Sequence, residues 1–305
     1  MSLPHNPGEI THGVIRQGAR PGARGGKATQ FEMQAALIPG SHRFEYQSAR
    51  RLTRIVESFV DSGTANEYFL YFHGVTDRQF DVIGQDLRSF QLRSRVRLTF
   101  ENALDAAILR IIPGSEHAKI SSSLYIAIAH KIAGLPGHHN ESFETFGATL
   151  LQVPGVRSKQ GDQSLGPGTR LGRDAWPSVM IEVGYSGGED FLHLDAHWWL
   201  TNSPDQIRFV ILVIITMSPL ALRIECWRMV ESGRRETRQT LSRVPTCIQD
   251  FNIDQAGVVK STLGSTELRI PYYCVFDEHH DEATDVVFSL EELRHFAQRR
   301  FRLME

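Results

Sequence analysis

The chain has 305 residues, with 33 Lys or Arg against 35 Asp or Glu, a formal net charge of −2 at pH 7, and 41% hydrophobic residues. That length and apolar content suit a soluble globular protein with one large or two small domains. The near-neutral charge excludes a global attraction to nucleic acid. Three widely spaced cysteines without a C-x-x-C pair argue against a disulfide-stapled secreted chain and for a reducing, intracellular setting, nuclear or cytoplasmic.

Residues 1–40 are rich in Gly, Arg, Pro and Gln and predict a disordered basic arm. Arg20, Arg24 and Lys27 in this arm are candidates for following a phosphate backbone, although solvated tails of this composition are commoner. The segment GGKAT approaches a phosphate-binding loop, but Pro21 replaces the first Gly and Ala28 the Ser or Thr. The N-terminus lacks the apolar stretch of a signal peptide. The apolar run 209–217 is too short to cross a bilayer, so no membrane partner is expected.

Residues 41–105 read as a helix-and-strand extension. Leu52, Ile55, Val56 and Phe59 form one apolar stripe of a helix, and EYFLYFH at 67–73 is strand-like. In RSFQLRSRVRL, Arg88, Arg93, Arg95 and Arg97 partly alternate with Leu92, Val96 and Leu98, which predicts the solvated face of an edge strand. The run AAILRII at 106–112 predicts a strand. A helix follows, with Ser115 as its N-cap and Ile120, Leu124, Ile128 and Ile132 down one face. Further strands are expected at 146–153, 207–217, 220–228, 240–248 and 268–276, with a closing helix capped by Ser289.

The densest chemistry lies in 162–199. Glycines 161, 166, 168 and 172 with Pro167 predict a polar loop that places Asp162 at a turn. WPSVMIEVG at 176–184 is a buried strand, and Glu182 is anomalous in it, since a carboxylate in so apolar a run is rarely left without a partner, a proton or a metal. From Gly188 the period becomes helical. A strand-borne Glu preceded by an Asp at a turn is the oxygen-ligand arrangement a divalent cation needs, with Mg²⁺ or Mn²⁺ the expected ion. An Asp in a Gly-rich loop is, by itself, more often a turn former.

These residues resemble the PD-(D/E)XK nuclease-like superfamily in its divergent branch. The matching parts are Glu116-His117 opening a helix, Asp162 in KQGDQS, and Glu182-Val183 in PSVMIEVG, and the wording SKQGDQS, WPSVMIEVG and LDAHWWL is also similar to fungal proteins of that fold. The resemblance spans residues 106–227, about two fifths of the chain. It implies an α/β fold with a restriction-endonuclease-like core at 106–228, a mixed central sheet flanked by helices, and a C-terminal extension at 229–305. It also implies metal-dependent hydrolysis of phosphodiesters, DNA favoured. Asp162 and Glu182 would hold the ion, Glu116 or His117 would complete its shell, and Lys159 would lie among the nucleic-acid contacts. The family's lysine, two residues after the acid, is replaced here by Gly184, and His197 on the next helix is the nearest candidate base. A fold retained as a non-catalytic nucleic-acid or protein-binding module is the alternative.

Two other patterns overlap these residues. Gly184-Tyr185-Ser186-Gly187-Gly188 satisfies G-x-S-x-G between a strand and a helix, which makes Ser186 a candidate nucleophile of a serine hydrolase. Too little chain follows for the remaining strands and triad. His193 and His197 share a helical face with Glu189, a zinc-like spacing without the Glu that H-E-x-x-H requires.

Overall fold

Two mixed sheets share the chain, and strand and helix numbers below follow chain order. The computed structural model describes residues 29–61, 67–89, 95–112, 116–153, 157–172, 174–203, 205–235, 241–278, 284–302 and 304. The first sheet holds β1 (Arg43–Glu45), β2 (Tyr68–His73), β3 (Val96–Glu101), β4 (Ala106–Ile111), β6 (Leu150–Val153) and β7 (Arg157–Gln160), in the order β1-β2-β4-β3-β7-β6. The second holds β5 (Phe143–Thr145), β8 (Gln163–Pro167), β9 (Val179–Tyr185), β10 (Phe209–Met217), β11 (Leu220–Arg235), β12 (Leu241–Asp254) and β13 (Val259–Lys260), in the order β13-β12-β11-β10-β9-β8-β5. A two-stranded hairpin, β14 (Glu267–Ile270) with β15 (Val286–Ser289), closes the described strands. The class is mixed α/β, and none of the described helices is long and apolar enough to cross a membrane.

Helices cover both sheets. In α4 (Glu116–Ala133), the predicted stripe Ile120, Leu124, Ile128 and Ile132 is buried against Val179, Ile181 and Val183 of β9 and their neighbours on β10. On the opposite face lies α5 (Glu189–Asn202), the crossover that makes β9 and β10 parallel, with Leu192, Ala196 and Trp199 packed over Met180, Val210 and Leu212. Helices α2 (Ala49–Asp61) and α3 (Asp77–Ser89) cover the first sheet, α6 (Tyr272–Val275) and α7 (Leu290–Phe301) the second. Ser289 caps α7 through a reciprocal box with Glu292, as its spacing predicts.

Several expectations need correction. The arm expected to extend to residue 40 gives way at Gln30 to helix α1 (Gln30–Leu37), whose Thr29–Glu32 capping box is a start signal inside a low-complexity neighbourhood. Arg20, Arg24 and Lys27 lie outside the described residues. In the arginine-rich segment Arg93 lies outside the described residues, Arg88 belongs to α3, and β3 is not an edge strand but runs between β4 and β7 with Arg97 turned inward. The expected loop after Asp162 is strand β8, buried from Ser164 onward, because its backbone groups pair with β9 on one side and β5 on the other. The strand expected at 220–228 instead continues as β11 to Arg235.

The chain leaves the first sheet after β7 and enters the second at β8, so Asp162 occupies the crossing point. The two sheets are also tied by Phe69 of β2 stacked on Phe191 of α5, ring centroids 3.6 Å apart and planes within 8°. A buried aromatic pair of this kind combines area burial with favourable ring geometry. Phe191→Ala is expected to cost about 3 kcal/mol, measurable as a lower urea midpoint with an unchanged slope.

Candidate active site

Strand β9 is buried on both faces, and its alternation divides the chemistry: Val179, Ile181 and Val183 enter the α4 core, while Met180, Glu182 and Gly184 face α5. Glu182 Oε1 accepts a 2.7 Å hydrogen bond from the Trp199 indole of α5. The chain passes above it at Gly161, where any Cβ would stand 2.6 Å from Met180 Sδ and 3.3 Å from Glu182 Oε1. Asp162, the next residue, turns its carboxylate inward. Its Oδ1 accepts from Arg97 Nε at 2.8 Å, and its Oδ2 accepts from the Val183 amide at 2.9 Å. His117 Nε2 lies 2.9 Å from that same Oδ2 and 2.6 Å from the Val183 carbonyl.

The two acids meet on one cation, Arg110 of β4. Its Nη1 lies 3.6 Å from Asp162 Oδ2 and 3.7 Å from Glu182 Oε2. Its Nη2 bonds Glu67 Oε1 at 2.6 Å and the Val183 carbonyl. A second cation stands alongside. Lys159 of β7 donates to Asp195 Oδ1 of α5 at 2.6 Å, beneath the Trp198 and Trp199 rings, and the Gln34 amide of α1 donates to the same oxygen. Both acids, His117 and Lys159 are buried. A cavity of about 10 Å³, room for roughly one water, is bordered by Gln34, Arg110, Lys159, Glu182 and Asp195.

Four carboxylates (Glu67, Asp162, Glu182, Asp195) thus share a dry volume with three basic side chains (Arg97, Arg110, Lys159) and one imidazole. Burial works against Asp162 as an anion, but His117, Arg97 and Arg110 outweigh it and hold the carboxyl well below the usual carboxylate range. Glu182 goes the other way: burial and then the charges of Asp162 and Asp195 push it well up, against the pull of Lys159 and Arg110. The pair is therefore pushed in opposite directions, the pattern of acid/base sites.

Gly184, where the resemblance would expect a lysine, has no space for one. A Cβ there would lie 2.7 Å from Arg110 Nη2 and 2.9 Å from Leu192 Cδ1. Lys159 brings the ammonium to the cavity from β7 of the first sheet instead, so its assignment to the nucleic-acid surface is corrected: it is 4% exposed and paired inside. His197 is not in this cluster; its ring packs edge-on against Trp227 at 5.6 Å, and burial together with His193 lowers its pKa. Glu116 stays at the rim, near Lys119 at 3.9 Å, and with Glu67 adds to the burial that pushes the Tyr185 phenol up to about 12.

Ser186 begins a short 3-10 turn and is exposed, without the positive φ of a strained elbow, and among the described residues no His hydrogen-bonds it. Two acids later in the chain that a triad could draw on are engaged elsewhere, Asp277 with Arg170 and Arg208, Asp285 with Arg269. The cluster residues that sequence reasoning missed are Glu67, Arg97, Arg110 and Asp195. Arg110 carried a legible signal, a charge inside the apolar run AAILRII, the same anomaly that marks Glu182.

A cleft of about 760 Å³ opens beside the cluster, lined by Arg97, Ser121, Ser122, Gln160, Asp162 and Gln163 among others. It gives the Asp162 edge of the site a route to solvent, whereas Glu182 lies in the inner cavity. Comparison of the sequence with protein-family models and with curated proteins returned no match.

Opposite responses are expected from the two acids. Asp162 is held low, so its stabilisation is present above the ordinary carboxylate pKa and lost as pH falls through its folded value. Asp162→Asn should cost about 3–5 kcal/mol at pH 7, the scale for breaking a buried ion pair, and less in acid. Glu182 is held high, so stability declines as pH rises from about 4, where the unfolded chain begins to ionise and the folded protein does not. Glu182→Gln should melt at or above the wild-type temperature at pH 7 and flatten that decline. Thermal melts between pH 3 and 8, as approximate limits set by the carboxylate titration range, measure both.

Proposed function

We propose that the chain is a metal-dependent phosphodiesterase with a PD-(D/E)XK nuclease-like core, acting on nucleic acid, with DNA favoured by the resemblance. The observation that carries this reading is the convergence of Asp162 and Glu182, from separate elements, on a single cationic point, Arg110 Nη1. The donor set fits a hard divalent ion: carboxylate oxygens around a position at which a stand-in cation is already accepted. The order of α4, β8, β9, α5 and β10, with β9 parallel to β10 and antiparallel to β8, supports the core assignment.

Bound by Asp162 and Glu182, Mg²⁺ or Mn²⁺ would supply an activated water and neutralise charge on the phosphodiester. Asp162 is kept ionised by Arg97 and His117, which leaves it ready to act as a ligand. Glu182 must give up its proton to join it, and the Trp199 indole fixes its orientation for that exchange. Lys159 supplies the positive charge beside the acids that Gly184 cannot. Arg97, on the cleft wall, is placed to meet a phosphate entering from solvent.

A second reading is favoured by one specific feature. Arg110 is fastened by Glu67 and the Val183 carbonyl as well as by the two acids, so it would have to yield before an ion could enter. A permanently seated Arg110 makes the fold a binding module. The experiment is incubation of the purified protein with plasmid and single-stranded DNA and RNA, with and without Mn²⁺. Metal-dependent cleavage that disappears in Glu182→Gln, with an unchanged circular dichroism spectrum, supports the nuclease. No cleavage of any substrate, together with no rise in melting temperature on adding Mn²⁺, replaces it with the binding module.

A further inference from the structure

Helix α5 carries a second set of ligand-type side chains on a face turned away from Glu182. Glu189 and His193 stand one turn apart and meet β11, where Arg223, Glu225 and Trp227 alternate onto the same side of the strand. His193 Nε2 lies 3.0 Å from Glu225 Oε2 and 3.7 Å from Glu189 Oε1, and one donor atom from each of the three residues falls within 4.8 Å of the others. In a tetrahedral zinc site, with metal–ligand bonds of about 2.0–2.1 Å, neighbouring donor atoms sit roughly 3.3 Å apart. The two distances to the imidazole bracket that value.

The set is also ordered as a metal site would be. Glu225 is 1% exposed and is oriented by the Trp227 indole, which donates to its Oε2 at 2.9 Å. Glu189 and His193 are half-buried and open one side to solvent. Between the carboxylates lies a cation, Arg223, whose Nη1 is 2.8 Å from Glu189 Oε1 and whose Nη2 is 2.6 Å from Glu225 Oε1. Unlike Arg110, this side chain is 38% exposed, and the contacts described for it run to these acids alone, so it is free to turn outward.

We propose that Glu189, His193 and Glu225 form a binding site for a divalent transition-metal ion of the zinc class, entered by exchange with the Arg223 guanidinium. An imidazole beside two carboxylates selects zinc, cobalt or nickel over magnesium, which separates this site from the all-oxygen pair around Arg110. Three protein ligands leave a fourth position to solvent, and two carboxylates with a neutral imidazole balance the ion's charge. His197, one turn further on, is held against Trp227 and is not counted among the ligands. The site stands whether or not the chain is a nuclease.

The test is titration of untagged protein with Co²⁺, read by visible absorption and by tryptophan fluorescence, followed by displacement with Zn²⁺. One equivalent should bind, with the absorption of a four-coordinate ion and quenching of Trp227, whose ring lies 5.3 Å from that of His193. His193→Ala and Glu189→Gln, both at half-exposed positions, should weaken binding by about tenfold or more. Arg223→Gln should tighten it, because the competing cation is gone, whereas a merely structural arginine would leave affinity unchanged or lower it. Glu182→Gln should have no effect on Co²⁺. Absence of saturable one-to-one binding, binding indifferent to His193→Ala, or weaker binding in Arg223→Gln would overturn the proposal.

Discussion

Arg110 holds the centre of this molecule together. Two carboxylates buried from opposite sides of a sheet junction would repel each other in a low-dielectric interior, and burying either alone would be costly. One guanidinium, wedged among Asp162, Glu182, Glu67 and the Val183 carbonyl, resolves that conflict. Burial tends to lower its own pKa, but the surrounding acids raise it further, so the cation cannot discharge to relieve the cluster. The remaining freedom lies with Glu182, whose carboxyl burial and the neighbouring acids push well up.

The surrounding architecture follows from the need to bring these groups to one place. Arg97 and Arg110 come from the first sheet, Glu182 from the second, and Asp162 from the residue at which the chain passes between them. Helix α5 serves three surroundings with three stripes: Leu192, Ala196 and Trp199 fill the core, Phe191, Asp195 and Trp198 meet the first sheet and Lys159, and Glu189 and His193 face β11. A helix hydrophobic on one face only would satisfy the first. The mixed composition of EDFLHLDAHWWL reflects all three.

The same device, an arginine bridging two acids, occurs twice with different burial. Around Arg110 the bridge is sealed by tryptophans, Gln34 and the sheet junction, and a cation there would have to displace a deeply anchored side chain. Around Arg223 the bridge faces solvent. The same kind of bridge therefore has different consequences, because solvent access sets both the electrostatic strength of a pair and the ease with which it exchanges.

Much of this was readable in the primary order. Helical periodicity located α4 and α5, a run of β-branched residues located β9 and β10, and a carboxylate in the middle of β9 marked Glu182 as needing a partner. Asp162 was marked only weakly by its place at a turn before the strand of Glu182, since an aspartate among glycines has many ordinary roles, and His117 was singled out through its resemblance to a motif. Strand β8 was hidden because Gly166 and Pro167 break the local pattern, and only pairing with β5 and β9 makes it a strand. His197 was misplaced for a related reason: helical spacing gives the face of a residue but not what that face meets. The sequence by itself determined the strongly periodic elements, α4, α5, α7, β9 and β10, and the core they share, because those depend on the local period of apolar side chains. Only the tertiary structure decided that Arg97, Arg110 and Lys159 are the partners of the acids, since opposite charges far apart in the chain are brought together by sheet order, which no local pattern encodes.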